Sequence, residues 1–157
     1  MTLRIGLGTD LHVLAPGRPC VLGGVTIDCP VGPRSHSDGD AVLHALTDAL
    51  LGAAGLEDLG TLFPDSDPQW RDVASSVFVE RAVELVAERG LRATSLDIAV
   101  HCERPRIGPH RAAIRAHIAA LVGVDIERVN IKGKSLEGTG GPAETVSVTA
   151  VVLLDDL

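Results

Sequence analysis

Three side chains in the first third of the chain have the types that hold a divalent metal: Asp10, His12 and His44. The pair Asp10-x-His12 ends an apolar run, Ile5 to Leu11, that reads as a strand. In a strand, residues i and i+2 share a face, so a carboxylate and an imidazole project side by side. His44 falls in a stretch that reads as a buried helix, where a polar group is costly unless it has a partner. Three protein ligands leave the fourth position of a tetrahedral zinc open, which is the catalytic rather than the structural pattern. Asp40 and Asp48 lie four residues to either side of His44, and either carboxylate is placed to orient a metal-bound imidazole. The same residues also fit a plainer reading, an internal His–Asp hydrogen bond with no metal.

Other groups could serve a ligand. His36-Ser37-Asp38-Gly39-Asp40 runs into the start of the helix, where backbone N–H groups favour an anion such as phosphate. Alternatively Ser37 only caps the helix, with Asp40 three residues on resembling a capping box. Glu57-Asp58-Leu59-Gly60 and Phe63-Pro64-Asp65-Ser66-Asp67 place several acids between glycine and proline. Such carboxylates can hold hydroxyls or a hard cation, but spacing alone favours turns. The segment Lys132 to Gly141 follows a strand and superficially looks like a phosphate loop. The Gly-x-x-x-x-Gly-Lys-Ser/Thr spacing is absent and no helix follows, which excludes a nucleoside-triphosphate P-loop. What remains is a loop that either supports phosphate and a second metal or simply joins two strands. His101, His110 and His117 show no ligand spacing and read as solvated or packing residues.

The elements that must position these groups can be read from pattern. At 157 residues the chain is expected to form one domain, residues 1–157, and at 45% hydrophobic it can bury a core. Phe63, Phe78 and Trp70 are its only aromatic residues, so that core must be Ala, Val, Leu and Ile. A net charge of −7 argues against a nucleic-acid partner or an anionic membrane. A phosphorylated substrate would need local cations, most simply metal ions. Cys20, Cys29 and Cys102 lack Cys-x-x-Cys spacing, so reduced cysteines in a cytoplasmic protein are expected. No signal peptide is read before the first strand, and no apolar run reaches the ~18 residues of a membrane span. Strands are expected at 3–13, 95–103, 128–135 and 145–154, with a short hairpin arm at 20–28. Helices are expected at 38–54, 74–89 and 109–122. The result is an α/β fold: a single layered domain, a mixed four-stranded sheet with helices on one face, and a short N-terminal hairpin.

The stretch Ser35 to Pro68, together with Gly8-Thr9-Asp10-Leu11-His12, closely resembles the 2-C-methyl-D-erythritol 2,4-cyclodiphosphate synthases of non-mevalonate isoprenoid biosynthesis. The resemblance spans essentially the whole chain. It implies a cytoplasmic homotrimer with active sites between subunits, and a zinc- and magnesium- (or manganese-) dependent phosphorus-oxygen lyase that releases CMP. It implies that Asp10, His12 and His44 bind zinc and that Glu137 binds a second divalent ion. Asp10, His12, His36 and Ser37 would lie against the substrate, with His36 and Ser135 as the transition-state stabilisers. Asp58, Leu59, Gly60, Phe63, Pro64, Asp65, Ser66 and Asp67 would hold the methylerythritol phosphate. Cys102, Glu103, Arg104, Pro105, Arg106, Ile107 and Gly108, with Gly133, Lys134 and Ser135, would bind cytidine. The chain departs from the family where Lys134 and Leu136 flank Ser135 in place of threonines, and in a shorter loop after Glu137 that lacks a common arginine. Two rival readings are a zinc hydrolase acting through an activated water and a non-catalytic metal- or nucleotide-binding trimer.

Overall fold

Alternation in the extended segments builds a sheet with one apolar face, and a helix rich in small residues is laid against it. The computed structural model describes residues 2–157. A long strand β1 (Arg4–Pro16) leads to a hairpin of β2 (Cys20–Leu22) and β3 (Val25–Ile27), then to β4 (Val31–Pro33). Helix α1 (Ala41–Ala53), a single turn α2 (Leu59–Leu62) and α3 (Ser76–Glu88) follow. The chain ends with β5 (Leu91–His101), α4 (Arg111–Val122), β6 (Val129–Lys134) and β7 (Thr145–Asp156). The sheet order is β4-β1-β7-β5-β6. Only β5 and β6 run parallel; the other pairs are antiparallel.

The sheet is mixed, as expected, but it has five strands rather than four. The unread strand is β4, three residues that include Gly32 and Pro33. It is too short to display alternation, and its pairing with Leu14 to Pro16 is a tertiary contact. Strand β5 also starts at Leu91, earlier than the expected 95, because an irregularity at Ala93 to Ser95 breaks the period there.

Val146, Val148, Ala150, Val152 and Leu154 of β7 are fully buried on the helix side, opposite Leu96, Ile98 and Val100 of β5. On β1 the same face carries Gly6, Gly8, Asp10 and His12, because each pairs with one of those inward residues of β7. The two glycines let α1 descend onto the strand. A Cβ on Gly6 would sit 1.8 Å from the Ala49 carbonyl oxygen, and one on Gly8 would sit 1.9 Å from that of Ala45. Helix α1 meets the strand with Ala45 and Ala49, both fully buried. The opposite sheet face is open: Ile5, Leu7 and Leu11 are 75%, 64% and 66% exposed.

The start of α1 differs from the expected capping box. Asp40, not Ser37, is the cap: its carboxylate accepts from Leu43 N–H at 3.0 Å. The same carboxylate accepts from the N–H groups of Gly23 and Gly24 at 2.8 and 2.6 Å. Those glycines form the two-residue turn of the β2–β3 hairpin with positive φ, as tight hairpin turns require. Asp40 thus ties the hairpin to the helix entrance while fully buried. Burial pushes its carboxyl pKa up to about 6, against three backbone hydrogen bonds that favour the charged form.

Two stability outcomes follow from these contacts. Gly8→Ala drives a methyl group into the α1 backbone and is expected to cost about 3 kcal/mol. Asp40→Ala strands three N–H donors at the helix entrance and is expected to cost about 2–4 kcal/mol. Urea denaturation measures both; a wild-type midpoint for either variant contradicts the packing described.

Candidate active site

Strand alternation continues past the glycines, so Asp10 and His12 occupy the inward face just where α1 begins. His44 sits in the first turns of α1, directly before Ala45, the residue whose carbonyl rests on Gly8. The close approach of helix and strand therefore delivers the third imidazole to the other two groups. One ligand atom from each of Asp10, His12 and His44 lies within 4.8 Å of the others. Among the described residues, this is the one group of three or more such side chains that could hold a metal. Asp10 Oδ2 is 2.7 Å from His12 Nε2 and 3.2 Å from His44 Nδ1.

The outer nitrogens fix the chemistry of the inner ones. His12 Nδ1 lies 3.1 Å from the Arg34 carbonyl, which can only accept, so Nδ1 carries the proton and Nε2 presents a lone pair inward. His12 Nε2 is buried and has no aligned hydrogen-bond partner, despite the nearby Asp10 oxygen. An orphaned buried nitrogen beside a carboxylate suits a cation at their common focus. The imidazole and carboxylate donors suit a divalent transition metal with an open position. Burial raises the Asp10 carboxyl, but His12 and His44, whenever their facing nitrogens carry protons, outweigh it by donation and charge and hold its pKa down at about 2. The contact with Asp10 lifts the His12 pKa above the usual imidazole value, against the effect of burial.

This trio opens into a cavity of about 160 Å³, also lined by Ser35, Ser37, Leu59, Phe63, Asp65, Trp70 and Phe78. Of the loop acids, Asp65 reaches the cavity. Asp58 instead caps α2 through Thr61 N–H at 2.9 Å, and Asp67 caps the Pro68–Trp70 turn. Gly60, Pro64 and Ser66 do not line it, and His36 is an exposed neighbour whose carbonyl accepts from Asp72 N–H. The carboxylates at i−4 and i+4 of His44 do not orient its ring. Asp40 is committed to the cap, and Asp48 accepts from Leu59 N–H at 2.7 Å. The partner of the outer His44 nitrogen is Ser75, whose Oγ lies 2.8 Å from Nε2, with Ser37 Oγ at 3.2 Å.

Sequence reading missed Ser75, Ser35, Trp70 and Phe78. The aromatic residues offered a signal. In a chain with only three, Phe63 packs 4.9 Å from Phe78 and 5.1 Å from Trp70, and Phe78 lies 5.9 Å from the His44 ring. An aromatic floor thus backs the trio.

A second cavity, of about 520 Å³, lies where β5 and β6 end side by side. Cys102, Glu103, Pro105, Arg106, Ile107 and Gly108 form one wall, Gly133, Lys134 and Ser135 another, and Pro109 joins them. Burial pushes the Cys102 thiol up to about 11, and its S–H donates to the Pro105 carbonyl, so this side chain is a wall rather than a nucleophile. Arg104 turns away from the cavity into a bidentate pair with Glu144. Ser135 Oγ donates to Glu137 Oε1 at 2.9 Å, and Glu137 itself is exposed with a left-handed backbone, φ 51°. The two cavities share no lining residue.

Residues 3–155 match the model of the YgbB family. A 2-C-methyl-D-erythritol 2,4-cyclodiphosphate synthase of Symbiobacterium thermophilum is 50% identical, over 97% of this chain and 98% of its own. One from Bordetella petrii is 49% identical, over 96% and 94%. A solved structure of such a synthase in a CDP-bound form superposes with a TM-score of 0.91 at 46% identity, covering 97% of this chain and all of that one.

Because His12 holds a proton more tightly than a free imidazole, a metal must displace it. Affinity for a divalent transition metal is therefore expected to climb as pH rises through and above the ordinary imidazole range, with proton release on binding. Competition with a chromophoric chelator across that range measures this. A flat profile contradicts the hold that Asp10 gives His12 on its proton.

Proposed function

The chain belongs to the YgbB family, and on that premise we propose that it converts 4-diphosphocytidyl-2-C-methyl-D-erythritol 2-phosphate to 2-C-methyl-D-erythritol 2,4-cyclodiphosphate and CMP. This is a step of non-mevalonate isoprenoid biosynthesis. The 2-phosphate attacks the β-phosphorus of the same molecule's diphosphate, the bond to the CMP oxygen breaks, and the ring closes. The nucleophile is already an anion, so no protein base is needed. Holding both ends of one molecule in line can contribute up to ~7–11 kcal/mol.

The residues then take roles. The 520 Å³ cavity receives cytidine, with backbone groups of Cys102 to Gly108 reading the base and Gly133, Lys134 and Ser135 against the ribose diphosphate. Leu59, Phe63 and Asp65 face the methylerythritol, and Asp65 hydrogen-bonds its hydroxyls. Asp58, Gly60, Pro64, Ser66 and Asp67 shape that loop. His36, Ser37 and Ser135 donate to phosphate oxygens as charge builds. Asp10, His12 and His44 would hold zinc and Glu137 magnesium or manganese, and the ions bound there would neutralise charge and polarise phosphorus. Glu137 is an exposed carboxylate, the kind of oxygen ligand that would hold a hard ion there. An enzyme of net charge −7 tolerates so anionic a substrate because bound metals carry the positive charge.

The observation that carries this reading is the pairing, on one chain, of a ligand trio in one cavity with a separate nucleotide-sized cavity. Likeness to the cyclodiphosphate synthases implies a homotrimer as the working unit, in which the metal cavity of one copy would face the cytidine cavity of the next. The exposed apolar row Ile5, Leu7 and Leu11 supports burial of that sheet face between copies. One apolar core runs through the described residues, supporting a single domain over 1–157. The free thiols Cys20, Cys29 and Cys102 suit the cytoplasm. No described helix is long and apolar enough to cross a membrane.

Incubation with the cytidylylated substrate, zinc and magnesium is expected to yield equal amounts of CMP and a cyclic diphosphate by phosphorus NMR. CMP with a linear product would indicate a hydrolase, and no product would overturn the reading. His44→Ala is expected to lose bound zinc and at least about a hundredfold in turnover together; metal analysis and the CMP assay check both.

A further inference from the structure

Ser75 lies at the N-terminal boundary of α3, where a serine ordinarily accepts a hydrogen bond from its own helix. It makes no such side-chain bond. Its residue is fully buried, and its hydroxyl donates instead to the Asp38 carboxylate. Asp38 is held in turn by the N–H groups of Asp40 and Ser75, both at 3.0 Å. With the hydroxyl proton committed to Asp38, the Ser75 oxygen offers a lone pair to whatever approaches from the other side. That neighbour is His44 Nε2, at 2.8 Å.

We propose that Ser75 and Asp38 are positioning residues for the metal centre. Asp38 orients the Ser75 hydroxyl, and Ser75 accepts the Nε2 proton of His44. The Nδ1 lone pair is thereby aimed at the focus shared with Asp10 and His12. The relay is the counterpart of the Arg34 carbonyl, which fixes the other ring by taking the Nδ1 proton of His12. Together these partners leave both imidazoles presenting acceptors inward beside a carboxylate. Ser37 is the weaker candidate for this role. It is farther from Nε2 at 3.2 Å, only half-buried, and its Oγ also receives Gly39 N–H.

The inference rests on the metal reading of Asp10, His12 and His44, and its test separates the two. The wild-type protein, ring-labelled on histidine, is examined by nitrogen NMR with and without zinc, the metal-free sample well above the imidazole range. Zinc affinity is measured by chelator competition for the wild type, Ser75→Ala, Ser75→Thr and Asp38→Asn. The expected result is a His44 proton on Nε2 and zinc on Nδ1. Ser75→Ala is expected to weaken zinc binding about 10–100-fold and to mix the metal-free tautomers, while retaining wild-type far-UV circular dichroism. Ser75→Thr keeps the hydroxyl and is expected to recover the tautomer; Asp38→Asn is expected to fall between. A proton on Nδ1 of His44 in the wild type overturns the proposal even if no variant folds. Unchanged affinity and tautomer in Ser75→Ala overturns it as well. A wild type that binds no zinc defeats the metal reading instead, and the metal-free tautomer then still decides the relay.

Discussion

The backbone-to-backbone contact between α1 and β1 is the constraint on which the site depends. Gly6 and Gly8 leave no Cβ beneath the carbonyl oxygens of Ala49 and Ala45, so the helix lies almost directly on the strand. The next two inward positions are Asp10 and His12, and the residue before Ala45 is His44. One face of one strand thus reads Gly, Gly, Asp, His: the first half admits the helix and the second half receives its imidazole. Any side chain at the glycines would lift α1 and separate His44 from its partners.

Buried polar groups keep that arrangement in place, and Asp40, Asp38 and Ser75 are each matched to donors or acceptors. Asp40 joins the hairpin turn to the helix entrance through three backbone N–H groups. Asp38 joins the start of α3 to the loop before α1, and Ser75 carries that link on to His44. Removing one member leaves others unsatisfied in a dry setting, which costs more than the bond itself contributes. The aromatic floor of Phe63, Trp70 and Phe78 closes the same region from below without adding a competing polar atom near the trio, except the Trp70 ring nitrogen, itself unpaired.

Much of the fold was legible. The alternation Leu96, Ile98, Val100 marked a half-buried strand, and the all-round apolar pattern of Ala41 to Leu51 marked a buried helix; both are found so. Strand β4 was invisible because three residues carry no period and its pairing is made by distant partners. The helix cap was misread for a similar reason. Ser37 and Asp40 are both good caps locally, and the choice between them was made by the hairpin glycines, seventeen and sixteen residues back from Asp40.

Residue types and spacing along the chain, by themselves, determined that Asp10 and His12 share one strand face, the helical setting of His44, and the loop character of the acidic and glycine-rich segments. These are local matters, governed by strand and helix periods and by turn chemistry. Only the tertiary structure decided that the three ligand side chains converge, that Asp65 reaches their cavity, and that Ser75 rather than Asp40 or Asp48 holds the outer nitrogen of His44. Those outcomes depend on which backbones pack close enough to touch: His44 meets Asp10 and Ser75 from thirty-four and thirty-one positions away, where no periodicity extends.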